Sequence, residues 1–374
     1  MADQSEKRVY TTLDGMRGVA AIAVLTLHSW HFFGVSPFPS AYLAVDLFFL
    51  ISGVVLAHAY ERRFVAGMTV GQFFRIRCIR LMPLFLLGSA IAACVVVIAK
   101  LTGKTDLSNF AIVAALLTNS FGLPSPTWSE RPLLFILNLP AWSLFFEFIV
   151  NMVYVAAYRF LKLRILGLIV CTAAVGYVAA AAHRGDGDLG SVWATVPGGM
   201  MRILFSFFMG VLLYRLLGRV RPKLSPMPWI LLVGLSFLLA IDLSGQSRLL
   251  FDLGCVLLCF PVMVAIGMRY DQGAKAGSVF GFLGTTSYAV YVLHYPVVEA
   301  LRGSINKVLR VEMATLTPWL GFGFVGTILA FAWLVDRYYD APIRRYLARR
   351  FDLSQGHIAP RLHKPELSPV AINE

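Results

Sequence analysis

Charge is scarce in this chain. Asp, Glu, Lys and Arg make up 14% of its 374 residues, against about 25% in ordinary soluble domains. Cysteine is sparse as well. The five present, Cys78, Cys94, Cys171, Cys255 and Cys259, sit in or beside apolar segments and form no Cys-x-x-Cys pair. Neither a zinc site nor a disulfide framework is indicated, and each reads as a small buried hydrophobe. There is no Gly-x-x-x-x-Gly-Lys-Ser/Thr loop and no His-Glu-x-x-His pair, so ATP-driven pumping and metalloprotease chemistry lack their usual parts. "GTTSYAV" holds no nucleophile elbow. Sheet-like alternation is absent too, which excludes an outer-membrane barrel.

What remains is apolar. Hydrophobic residues make up 58% of the chain and the mean hydropathy is +0.72. A helix needs about 20 mostly apolar residues to cross a bilayer. Such runs occur at 15–34, 41–60, 81–100, 140–160, 163–182, 199–218, 228–247, 249–268, 277–300 and 316–336. A weaker run at 109–123 suits a re-entrant or interfacial helix. The fold class expected is therefore all-α, a polytopic transmembrane bundle of about ten spans in the lipid bilayer.

The net charge of +13 raises nucleic acid as a partner, but the positions of the cations argue otherwise. With the N-terminus inside, most of the 33 Lys and Arg fall on the cytoplasmic side, as the positive-inside rule expects. Both termini are then cytoplasmic, in a multi-pass protein. Lys7 and Arg8 precede the first apolar run, yet no small-residue cleavage site follows it, so it reads as a retained span. The chain divides into a cytoplasmic segment at 1–12, a membrane domain at 13–350 and a polar, Pro-containing tail at 351–374.

Ionisable groups at membrane depth are costly and face a cavity or a partner. The inventory of polar residues inside the apolar body is short: His28, His31, Asp46, Ser52, Glu147, Asn151, Arg202, Asp252 and His294, with Arg75, Arg77 and Arg80 just before the third run. His31 and His58 fall near span ends and read as interfacial. Glu147 reads equally as a reacting group or as the structural partner of an Arg or His. Arg17 and His28, 11 positions apart, share one face of a helix about 16 Å apart along its axis. A neutral imidazole in a dry pore is a good acceptor for a hydroxyl proton.

In order along the chain, "LDGMRGVAAIAVLTLH", "AVDLFFLISGVVL", "RCIR", "PAWSLFFEF" and "SYAVYVLHYPV" resemble the successive motifs of the acyltransferase-3 family of integral membrane acyltransferases. The first carries that family's arginine, ten residues, histidine spacing through Arg17 and His28; the third gives Arg-x-x-Arg through Arg77 and Arg80. The ending "YYDAPIRR" departs from the family's acid-Pro pair, with Ala341 between Asp340 and Pro342.

The resemblance implies an O-acyltransferase that moves an acyl group, acetyl first among the candidates, from cytoplasmic acyl-CoA to a hydroxyl of a cell-surface or exported glycan. No tightly bound cofactor and no metal is expected. It implies His28 and Glu147 as catalytic, Arg17, Arg75, Arg77 and Arg80 on the donor phosphates, and Asp46, Ser52, Trp142, Ser143, Tyr288 and His294 around the substrates. Many relatives carry an extra extracytoplasmic hydrolase-like domain, so the resemblance implies that transfer to the final acceptor is completed either by the membrane domain or by a separate extracytoplasmic transferase partner. Two readings from other classes stand beside it. One is a transporter or flippase for an acylated or polyprenyl-linked molecule; the other is a haem protein using two of His28, His31, His58 and His294.

Overall fold

The computed structural model describes residues 10–126, 132–218, 222–302 and 313–351. Lys7, Arg8, Arg219, Arg221 and all but the first residue of the 351–374 tail lie outside the described residues. The helices are α1 (Thr11–His28), α2 (Ala44–Val65), α3 (Val70–Leu101), α4 (Asn109–Ser120), α5 (Ala141–Ala157), α6 (Leu163–Arg184), α7 (Val196–Leu217), α8 (Met227–Ala240), α9 (Gly245–Gly254), α10 (Phe260–Gly267), α11 (Ala274–Arg302), α12 (Trp319–Val335) and α13 (Ala341–Arg350). Wider π-type turns at Cys255–Cys259 and Asp336–Asp340 join α9 to α10 and α12 to α13. The one sheet among the described residues pairs Lys223–Leu224 with Tyr270–Asp271. The molecule is an all-α membrane bundle.

Seven helical stretches among the described residues are long and apolar enough to cross a membrane. Neither α1 nor α11 is one of them, although both coincide with apolar runs in the sequence. Most of α1 is buried against protein, and a helix shielded from lipid need not be apolar on every side. The run at 228–247 yields a helix of only 14 residues, Met227–Ala240.

The third run begins earlier than its hydropathy suggests. Thr69 caps α3 through the backbone N–H of Gln72, whose side chain accepts from the Thr69 N–H in return. The helix therefore starts at Val70, and Arg75, Arg77 and Arg80 ride on it rather than preceding it. The polar sequence before the apolar run hid this start.

Small residues set the closest helix contacts, as expected where lipid supplies no hydrophobic drive. A side chain on Gly53 of α2 would collide with the Phe207 carbonyl of α7, and one on Gly210 with the Leu50 carbonyl. Gly15 and Gly18 of α1 lie in the same way against Phe280 and Leu283 of α11. Both pairs run parallel: Asp46 meets Arg202 while Glu61 meets Arg215, and Gly15 meets Phe280 while His28 meets His294. Spans one and nine, and spans two and six, run in the same sense if every apolar run crosses once, which agrees with both pairs.

Two ion-pair networks tie α2 to α7. Arg202, 0% exposed, holds Asp46 with Nε and Nη2 at 2.7–2.9 Å and donates to the Tyr42 and Leu189 carbonyls. Further along, Arg215 Nε lies 2.7 Å from Glu61 Oε1, which also accepts from the Tyr154 hydroxyl at 2.8 Å.

Candidate functional site

Six helices and one turn converge on a cavity of about 360 Å³. One end of α1 supplies Asp14 and Arg17, α2 supplies Ser52, and α3 supplies Arg77 and Arg80. Helix α5 adds Ser143 and Glu147, four residues apart and so on one face. From α11 come Ser287, Tyr288 and Tyr291, and the turn leading into α13 brings Asp336, Asp340 and Arg344. That turn is π-type, a geometry common at functional sites, and it brings Asp336, Asp340 and Arg344 to one wall.

The charges are largely committed to one another. Arg77 Nη2 meets Glu147 Oε1 at 3.0 Å, and the Ser52 hydroxyl donates to the same oxygen at 2.9 Å. Arg17 Nη1 lies 3.5 Å from Asp14 Oδ1. Arg344 reaches Asp340 Oδ2 at 2.8 Å and Asp336 Oδ1 at 3.1 Å. None of the ion pairs among the described residues includes Arg80, which also lines the cavity and is exposed. Three buried polar atoms of the lining, Arg77 Nε, Asp340 Oδ1 and Arg344 Nε, make no hydrogen bond, the last being ion-paired with Asp340 Oδ2. An anion entering here finds one uncommitted guanidinium and a second with a spare N–H.

The hydroxyls fix the walls. Tyr288 donates to the Leu81 carbonyl at 2.8 Å, bracing α11 against α3, and Ser143 and Tyr291 share a hydrogen bond of 2.7 Å. Tyr291 is the last residue of α11 in the cavity lining. Its ring packs edge-on against Phe48 at 5.3 Å and lies 6.1 Å from that of His294.

Beyond Tyr291 the structure joins the two histidines. His294 Nε2 is 3.1 Å from His28 Nδ1, and the His28 ring meets Tyr295 edge-on at 5.4 Å. His28 ends α1, and Arg17 lies in its second turn, about 16 Å back along the axis at 1.5 Å per residue. His294 thus neighbours His28 directly, and both are absent from the cavity lining. The two imidazoles bond each other, so they do not face across a gap that an iron atom would fill.

The remaining sequence-derived candidates disperse. Asp46 is 1% exposed and belongs to Arg202, outside the cavity. Trp142 packs on the backbone of Gly190, where any side chain would strike its ring. Arg75 points to another face of α3, its guanidinium 5.8 Å from the Phe351 ring centre, beside an apolar groove. Arg17, Ser52, Arg77, Arg80, Ser143, Glu147 and Tyr288 do share the cavity. His31 stacks on Trp30 at 3.9 Å and His58 lies between the Tyr10 and Tyr214 rings. Among the described residues no three His, Cys, Asp or Glu side chains converge as metal ligands.

Sequence reasoning missed Asp14, Asp336 and Arg344 as cavity residues. Asp14 and Arg17 are one helical turn apart, a spacing that signals a pair. In "DRYYDAPIRR" the i,i+4 spacing of Asp340 and Arg344 signals a pair in the same way, whereas the contact of Arg344 with Asp336 reaches across the π-type turn.

A family model described as an acyltransferase domain matches residues 10–337. A protein of Rhizobium radiobacter named protein 2 in the picA locus is 43% identical over 161 residues, which is 40% of this chain and 83% of that protein. No solved structure matches the chain.

Proposed function

The chain belongs to the acyltransferase-3 family and is a multi-pass membrane acyltransferase; from that premise we propose that it transfers an acetyl group from cytoplasmic acetyl-CoA to a hydroxyl of an exported or cell-surface glycan. The observation that carries this reading is the gathering of Arg17, Arg77 and Arg80 on one cavity, with His28 at the end of α1 about three turns beyond Arg17.

Guanidinium groups bind phosphate bidentately, so Arg80, with Arg77 and Arg17 beside it, suits the donor's phosphates. The excess of Lys and Arg in the loops on that side favours a cytoplasmic orientation for this end, in a bacterial inner membrane with both termini inside. The pantetheine arm is extended enough to span most of the distance to His28. Passage past Tyr291 is then required, and the Ser143 hydrogen bond would hold that gate residue.

At His28 the acceptor hydroxyl gives its proton to Nε2, and its oxygen attacks the thioester carbonyl. The carbon–sulfur bond breaks, and the thiolate leaves as the thiol after taking the proton back from His28. No acyl-enzyme is needed. A positioned base supplies about 10²- to 10⁴-fold, and donor orientation along α1 supplies much of the rest.

The test is transfer of label from acetyl-labelled CoA into cell-surface glycan by membranes holding equal amounts of the parent or His28→Ala. Loss of transfer with retained CoA binding supports the reading. Equal transfer by the variant removes His28 from the chemistry and brings the transporter reading forward.

A further inference from the structure

Two carbonyl groups determine where the protons of the histidine pair sit. Val290 O lies 2.9 Å from His294 Nδ1, and Val24 O lies 3.0 Å from His28 Nδ1. Each is the carbonyl four residues back on the histidine's own helix, and a carbonyl oxygen only accepts. Both Nδ1 atoms must therefore carry hydrogen. A neutral His294 is left with a bare lone pair on Nε2. That lone pair faces the Nδ1–H of His28 at 3.1 Å, so the His28 hydrogen is shared between Val24 O and His294 Nε2. By elimination the lone pair of His28 sits on Nε2, which makes no hydrogen bond among the described residues and is not a buried, unpartnered atom.

We propose that His294 is a positioning residue that holds His28 in the tautomer with its basic nitrogen on Nε2 and shares the charge when that nitrogen takes a proton. This rests on the reading of His28 as the general base, and it gives His294 a role other than substrate contact. The logic is that of a base oriented by a third group, with an imidazole in place of a carboxylate. The substitution suits the site: His294 is 0% exposed at membrane depth, where an unpaired carboxylate costs several kcal/mol and a neutral ring far less. His294 is itself fixed, being held by its own helix through Val290 and packed behind the Tyr291 ring. Parallel packing of α1 on α11, with Gly15 and Gly18 permitting the approach, puts the two rings at one level.

The acceptor atom is what matters, and Gln carries one where Leu does not: its Oε1 reaches about as far as imidazole Nε2. Membranes holding His294→Gln are expected to transfer label from acetyl-labelled CoA within about threefold of the parent at saturating donor. His294→Leu is expected to lose tenfold or more in rate with its donor KM unchanged, a part of the range a positioned base contributes. Equal rates in the parent and His294→Leu, or equal loss in both variants at unchanged thermal stability, would overturn the assignment.

Nitrogen NMR of the full chain in bilayers, labelled with ¹⁵N-histidine and assigned with His28→Asn, reads the tautomer without turnover. The His28 signal should be Nδ1-protonated in the parent and in His294→Gln, and mixed in His294→Leu. A protonated Nε2 on parent His28 would sink the idea. Should the parent fail to transfer acetyl, the donor reading fails, while the NMR result still decides the pair.

Discussion

Arg77 of α3 and Glu147 of α5 meet at 3.0 Å, and Ser52 of α2 donates to the same carboxylate oxygen, so one acid knits three helices around the cavity. The Arg77 and Glu147 side chains are 5% and 21% exposed, which makes the pair a buried one whose halves are costly to separate. The geometry gives Glu147 an arginine partner and leaves Arg77 Nε for another.

Removing one half of that pair is expected to cost about 3 kcal/mol. Glu147→Ala should lower the thermal midpoint in detergent, and adding Arg77→Ala should cost less than the sum of the single effects. A coupling below about 0.5 kcal/mol in the double-mutant cycle would show that the pair is idle. Glu147→Gln with unaltered acceptor turnover would remove the residue from the mechanism.

Arg80 is the uncommitted guanidinium of the cavity. Losing one phosphate contact of about 1.4 kcal/mol is a tenfold change in affinity. Arg80→Ala should raise the KM for acetyl-CoA about tenfold with little change in kcat, and the variant's KM should depend less on ionic strength. An unchanged KM would place the phosphates elsewhere.

The pair of Asp46 and Arg202 should behave as architecture. Asp46→Ala leaves buried Arg202 with only its longer, 3.4 Å contact to the half-exposed Asp188, a loss of about 3 kcal/mol, seen as poor accumulation and a low thermal midpoint. Asp46→Leu combined with Arg202→Met should recover much of that loss and keep the donor KM. If Asp46→Asn instead kept full stability and raised the acceptor KM, Asp46 would be a substrate residue after all.

Gly210→Leu should prevent the approach of α7 to α2, because the added side chain meets the Leu50 carbonyl, and folded protein should fall sharply in membrane extracts. Gly234 in α8 has nothing within 4 Å of an added Cβ. Gly234→Ala should be neutral or stabilising by up to about 1 kcal/mol, and a comparable loss there would show that the effect at Gly210 is not one of packing.

The sequence by itself determined the class of this protein. Apolar runs of bilayer length, scarce charge and the ordered motifs from Arg17 to His294 each rest on local chemistry, since a helix satisfies its own backbone and lipid penalises every stray charge. Periodicity alone placed Arg17 and His28 on one face, and the structure keeps both in α1. It could not say which ionisable groups partner which. Asp46 and Arg202 are 156 residues apart in sequence, His28 and His294 are 266, and nothing local distinguishes a buried Asp that braces two helices from one that lines a cavity. The start of α3 at Thr69 and the π-type turn at Asp336–Asp340 likewise changed which faces Arg75, Asp336 and Arg344 present. Those outcomes were decided by tertiary packing: the glycines of α1, α2 and α7 set how closely neighbouring helices approach, and that closeness brings Asp46 to Arg202 and sets His294 against His28.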